Sequence, residues 1–107
     1  MIQIEWTTQA FAQLEALPQA IAFEIIRRTD ALQAFPEMGF SLREPLQTVW
    51  NYRQLSIQRQ YRVIYRYDRE QALIYIAAIQ HCRQQLADYS DLQRAIQKSQ
   101  VEEDDRS

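Results

Sequence analysis

One cysteine, one glycine, one histidine and one lysine are all that this 107-residue sequence holds of those four types. A lone Cys82 forms no internal disulfide and cannot build a thiolate metal site, so neither a metal nor another cofactor is expected. No apolar run approaches the roughly 20 residues of a membrane helix, and no membrane partner is expected. The opening MIQIEWTTQAF has no basic segment followed by an apolar one, which leaves a cytoplasmic location as the expectation. Repeats and low-complexity tracts are absent. With 47% apolar and 24% charged residues the chain reads as one ordinary globular domain. A domain of this size buries roughly 60 to 65% of the surface its unfolded chain exposes.

Lysine is scarce but arginine is not, and arginine is the side chain whose planar fork grips phosphate and carboxylate in pairs of bonds. The formal charge of −2 hides an uneven distribution. Glu102, Glu103, Asp104 and Asp105 cluster at the end of the chain, whereas Tyr52 to Arg83 carries Arg53, Arg59, Arg62, Arg66, Arg69 and Arg83 against Asp68 and Glu70. An Arg-favouring genome explains the bias equally well, so composition alone leaves its meaning open.

Periodicity gives the order of elements. Ile2, Ile4 and Trp6 alternate with Gln3 and Glu5 as in a half-buried strand. Thr7 or Thr8 caps a helix with Ala10, Phe11, Leu14 and Leu17 on one stripe. Pro18 suits the first turn of a second helix carrying Ile21, Ala22, Ile25, Ile26, Thr29 and Leu32. Phe35 to Pro45 is a connection, with Phe35, Met38, Phe40 and Leu42 expected to pin it to the core. Three strands follow, at Val49 to Gln58, Tyr61 to Tyr67 and Ala72 to His81. The second points Arg62 and Arg66 away from its tyrosines, Arg66 being expected to solubilise an exposed face. The third is apolar on both faces, with Leu73, Tyr75, Ala77 and Ile79 on one and Ile74, Ile76 and Ala78 on the other. Ser90 with Gln93 forms a capping box for a short helix through Lys98. The expected fold is α+β: an N-terminal strand, a two-helix hairpin packed on a small antiparallel sheet, and a short C-terminal helix. Residues 1–98 form the domain and 99–107 an acidic, disordered tail.

This order, with LEALP at Leu14 to Pro18, FPEMG at Phe35 to Gly39, YRQL at Tyr52 to Leu55, YRVIYRYD at Tyr61 to Asp68 and IAAIQHCRQ at Ile76 to Gln84, resembles the RelE/ParE superfamily of bacterial toxins. The resemblance spans roughly residues 1 to 90 and implies a toxin neutralised by a cognate antitoxin. RelE-like members cut messenger RNA on the ribosome; ParE-like members bind DNA gyrase. The resemblance implies the RelE type first, a metal-independent mRNA endonuclease, with the gyrase inhibitor and a non-toxic member as alternatives.

RNA cleavage by the substrate's own 2′-OH needs a proton acceptor, cations at the phosphate and an acid for the leaving oxygen. Arg53 and Arg62 match the family's basic positions. His81 stands where the family ends its last strand with a basic or histidine-containing motif, and could act as acid or base. Arg59 and Arg83 extend the cationic surface, and Tyr61 or Tyr52 could stack on a base. Leu55, Cys82 and Leu86 to Asp88 depart from the RelE pattern, with Tyr89 near the place of a common C-terminal catalytic tyrosine. Arg53 also shares nominal strand parity with Leu55 and Ile57, so a shared Arg53–Arg62 face requires a bulge.

Overall fold

The computed structural model describes residues 1–41, 52–83, 92 and 94–97. The chain enters through β1 (Gln3–Trp6), which pairs in parallel with β5 (Leu73–His81) from Gln3 against Leu73 to Trp6 against Ile76. Thr7 then does two things at once. Its Oγ1 accepts from the Ala10 N–H at 3.1 Å, capping α1 (Thr8–Glu15), and donates to the Ala77 carbonyl of β5 at 3.1 Å. A cap that is also bonded to the sheet fixes the angle at which α1 leaves it.

Pro18 occupies the N-cap position of α2 (Gln19–Asp30), where its missing N–H costs nothing. A 3-10 turn, Ala31–Gln33, carries the chain toward β2 (Phe40–Ser41), a two-residue strand that the sequence pattern did not foretell. β3 (Tyr52–Ile57), β4 (Tyr61–Asp68) and β5 follow. Among the described residues the sheet runs β1-β5-β4-β3-β2, antiparallel except at the β1–β5 edge.

Both faces of the sheet are covered. On one, Ala10 and Leu14 of α1, Ile25 of α2 and Leu32 pack on Leu55, Ile57, Val63, Tyr65, Ile74, Ile76 and Ile79. On the other, Leu92 and Ile96 pack on Tyr52, Ile64, Leu73, Tyr75, Ala77 and Ala78. Residues 94–97 are helical, as expected for the C-terminal helix; Ser90, Gln93 and the tail at 99–107 lie outside the described residues. Because β5 lies between two layers, it is apolar on both sides.

The sides of β5 differ from simple alternation. Ile64 pairs with Ala78 but Tyr65 pairs with Ile76, a register shift that inserts Ala77 as a bulge. Ile74, Ile76 and Ile79 therefore share the helix side, and Leu73, Tyr75, Ala77 and Ala78 the other. One extra residue reverses the parity of everything after it.

The connection after α2 also differs. Phe35, Met38 and Phe40 are 65%, 40% and 74% exposed, so they do not pin it to the core; Leu42 lies outside the described residues. Polar tethers hold the segment instead. The fully buried Tyr65 donates its hydroxyl to the Pro36 carbonyl and accepts from the Gly39 N–H, each at 2.9 Å. Arg53 Nη1 donates to the carbonyls of Gly39 at 2.9 Å and Glu37 at 3.2 Å. The Glu37 carboxylate lies 3.8 Å from Arg53 and also bonds Arg69.

The β3–β4 turn carries local strain. Gln58 and Arg59 have φ of 52° and 60°, with the Gln60 N–H on the Ile57 carbonyl at 3.0 Å, a mirror-image turn that ordinarily takes Asn or Gly. Relief of about 1–2 kcal/mol of left-handed strain, less about 0.5–1 kcal/mol for glycine's entropy, gives the expected result for Gln58→Gly. It should stabilise the fold by roughly 0.5–1 kcal/mol, read as a higher urea midpoint with unchanged m-value.

Candidate functional site

The arginines of the strands separate by parity. β3 and β4 pair without a bulge, from Tyr52 against Arg66 to Ile57 against Tyr61. Since Leu55 and Ile57 face the helices, Arg53 does too, beside its partner Tyr65. Arg62 alternates with Tyr61 and Val63 and falls on the opposite face, with Ile64. The expectation of one face shared by Arg53 and Arg62 is thus not met, because no bulge intervenes in β3.

His81 follows Ile79 in parity and lies on the helix side, against its strand partner Tyr61, with ring centroids 5.1 Å apart and the planes at 78°. Its Nδ1 accepts from the Arg83 N–H at 3.1 Å, which places the proton of the neutral ring on Nε2. Gln13, Ala16, Leu17, Tyr61, Ile79 and His81 line a small cleft there. Arg53 pairs with Tyr65 and His81 with Tyr61, so the two are separated by four residues along β4 and by two strand spacings. That is roughly 13 Å along the sheet and 10 Å across it.

What the register does bring together is a polar row on the face away from the helix pair. Ser56, Arg62 and Gln80 stand side by side on β3, β4 and β5, at the end of the sheet closed by the Gln58–Gln60 turn. Arg59 and Arg83 are exposed at the same end, where the Cys82 N–H donates to the Gln60 carbonyl at 2.7 Å and ties the turn to the end of β5. Ser56 and Gln80 were missed by motif reading. The signal that could have found them is register: a turn centred on Arg59 sets Ser56 opposite Arg62.

Deeper on the same face a second row runs Tyr52, Arg66, Tyr75. Arg66 is only 6% exposed and sits 4.8 Å over the Tyr75 ring, a cation–π contact in place of the expected solubilising role. Tyr52 is fully buried in the core under Leu92 and Ile96, leaving no ring face open to a base. Tyr61 is half-buried against the helix-side core and the His81 ring. Burial pushes the Tyr65 hydroxyl above its ordinary pKa, opposed by its bond from Gly39 and the nearby Arg53 charge.

A parallel N-terminal strand, two helices on one face, antiparallel strands and a C-terminal helical segment on the other face define a RelE-like α+β toxin fold. Solved structures agree. The isolated RelE toxin of E. coli superposes with a TM-score of 0.63 at 12% identity, over 90% of this chain and 99% of that one. The chain matched in the E. coli RelBE toxin-antitoxin complex gives 0.64 at 9% identity, over 78% of this chain and 100% of that one. The chain matched in a RelBE toxin-antitoxin complex from Mycobacterium tuberculosis gives 0.60 at 24% identity, over 78% and 93%. At these identities the likeness is one of fold. The sequence itself matches the family described as the ParE toxin of the type II toxin-antitoxin system, parDE, over residues 4–86. The chain belongs to that family, within the RelE/ParE superfamily of type II toxins. No curated protein matches it.

Proposed function

We propose that this toxin is neutralised by an antitoxin partner and acts by binding a protein target, DNA gyrase, as the ParE branch does. The antitoxin reading is supported by the toxin-antitoxin complexes among the similar structures. The observation that carries the choice of binding over chemistry is the dispersal of Arg53, Arg62 and His81. Arg53 is committed to the carbonyls of Glu37 and Gly39 on the helix side, Arg62 lies on the other face, and His81 is back on the helix side at the far end. A phosphodiester cannot meet all three at once. Phe11 and Phe23 on the helix pair are exposed, which suits a protein-binding surface.

A second reading, ribosome-dependent mRNA cleavage, is favoured by the Ser56–Arg62–Gln80 row with Arg59 and Arg83 beside it. There Arg62 holds the phosphate, and Arg59 and Arg83 track the backbone. The two readings part in vitro. Purified toxin should inhibit supercoiling by gyrase and leave mRNA on programmed ribosomes intact. Unimpeded supercoiling together with cut mRNA would instead establish the second reading, and Arg62→Ala should then lower cleavage by about 10²–10³-fold, as loss of one charge-stabilising donor does.

A further inference from the structure

The segment from Phe35 to Gly39 is anchored from beneath and apolar outward. Tyr65 bonds both Pro36 and Gly39, and Arg53 bonds the carbonyls of Glu37 and Gly39. The Glu37 carboxylate reaches Arg53 and Arg69. Above these tethers Ala34, Phe35, Pro36, Glu37 and Met38 line an open groove of ≈ 480 Å³. A connection free to choose would turn Phe35 and Met38 inward. Here the inward positions are taken by hydrogen bonds, and the apolar side chains are held facing water.

That arrangement removes in advance the ordering cost of a binding surface. It also sets a charge. Among the described residues Arg53 and Arg69 share the Glu37 carboxylate at the groove, and the Arg69 side chain stays 66% exposed. An occupant that fills the groove with apolar side chains and brings a carboxylate to Arg69 satisfies both features. A second copy of this chain does not, because apposed grooves would set Arg69 against Arg69.

We propose that this groove docks a segment of the antitoxin in which apolar side chains stand beside acidic ones, an inference that rests on the toxin reading above. The experiment is calorimetric titration of the full-length chain with the antitoxin encoded in the adjacent reading frame. Phe35→Ala combined with Met38→Gln should weaken binding at least tenfold without lowering the thermal midpoint, since both side chains are exposed. Arg69→Gln should weaken it several-fold and flatten its dependence on salt.

Affinities within twofold of the parent for both variants overturn the inference. So does a loss confined to Phe23→Ala on α2, which would put the antitoxin on the helix pair alone. Concentration-dependent dimers of the parent that vanish in the double variant, with antitoxin affinity unchanged, also overturn it in favour of a second copy. The toxin reading fails separately, by absence of growth arrest on expression and of any antitoxin binding to the parent chain. Growth arrest with binding that ignores the groove removes only the groove.

Discussion

Gly39→Ala is expected to destabilise the protein by about 3 kcal/mol, the upper part of the range for forcing extra atoms into a packed site. A Cβ at position 39 would stand 2.7 Å from the Gln54 carbonyl oxygen and 2.8 Å from both Cε1 and the hydroxyl of Tyr65. None of these neighbours moves cheaply. Gln54 O is β3 backbone, paired across to β2, and Tyr65 is a fully buried ring in the helix-side core. Yielding at Tyr65 also pulls its hydroxyl from Pro36 and Gly39. For a domain of about this size each kcal/mol moves the thermal midpoint by roughly 4–8 °C, so a fall on the order of 15 °C is the expected readout. A fall of less than a few degrees would mean that the segment does not lie against β3 as described.

Tyr65→Phe should cost about 2–3 kcal/mol, because it keeps the ring and removes the hydroxyl that accepts from the Gly39 N–H and donates to the Pro36 carbonyl. Its pH dependence separates this hydroxyl from generic loss of packing. Burial raises the Tyr65 pKa in the folded state, so the unfolded chain ionises first as the pH climbs. The corresponding stability is fully present below the unfolded tyrosine pKa of about 10 and is lost as the pH rises through the raised folded value. Urea midpoints of parent and Tyr65→Phe should differ at neutral pH and converge above about pH 10, since the variant lacks that alkaline loss. The two substitutions break the same tether. Their combined effect should therefore fall short of the sum by about 1 kcal/mol or more, where distant sites would add.

Legibility in the sequence follows the range of the forces. Thr7, Pro18, the alternation of Tyr61 to Tyr67 and the two-sided apolar character of β5 are local signals, and each marks an element that the structure contains. Phe11 and Ile26 fit the helical stripes by periodicity yet are exposed, because a stripe says which residues share a side and not how wide the sheet beneath them is. The family likeness was readable for a related reason: it rests on the order of elements and short motifs, which survive where individual contacts do not.

The candidate site was the least legible part. Arginines at Arg53, Arg62 and Arg66 are chemically alike in the sequence, but one holds a connection through two carbonyls, one stands in a polar row and one is buried over Tyr75. Apart from the two-residue β2, the sequence by itself determined the main elements, their order and the concentration of guanidinium groups between Tyr52 and Arg83, since those depend on neighbours a few positions apart. The tertiary structure decided which side each arginine takes, where β5 changes parity at Ala77, and that hydrogen bonds hold Phe35 to Gly39 while its apolar side chains face outward. Those outcomes depend on strand register and on contacts between residues up to 32 positions apart; a single inserted residue reverses a strand's faces without altering its local pattern.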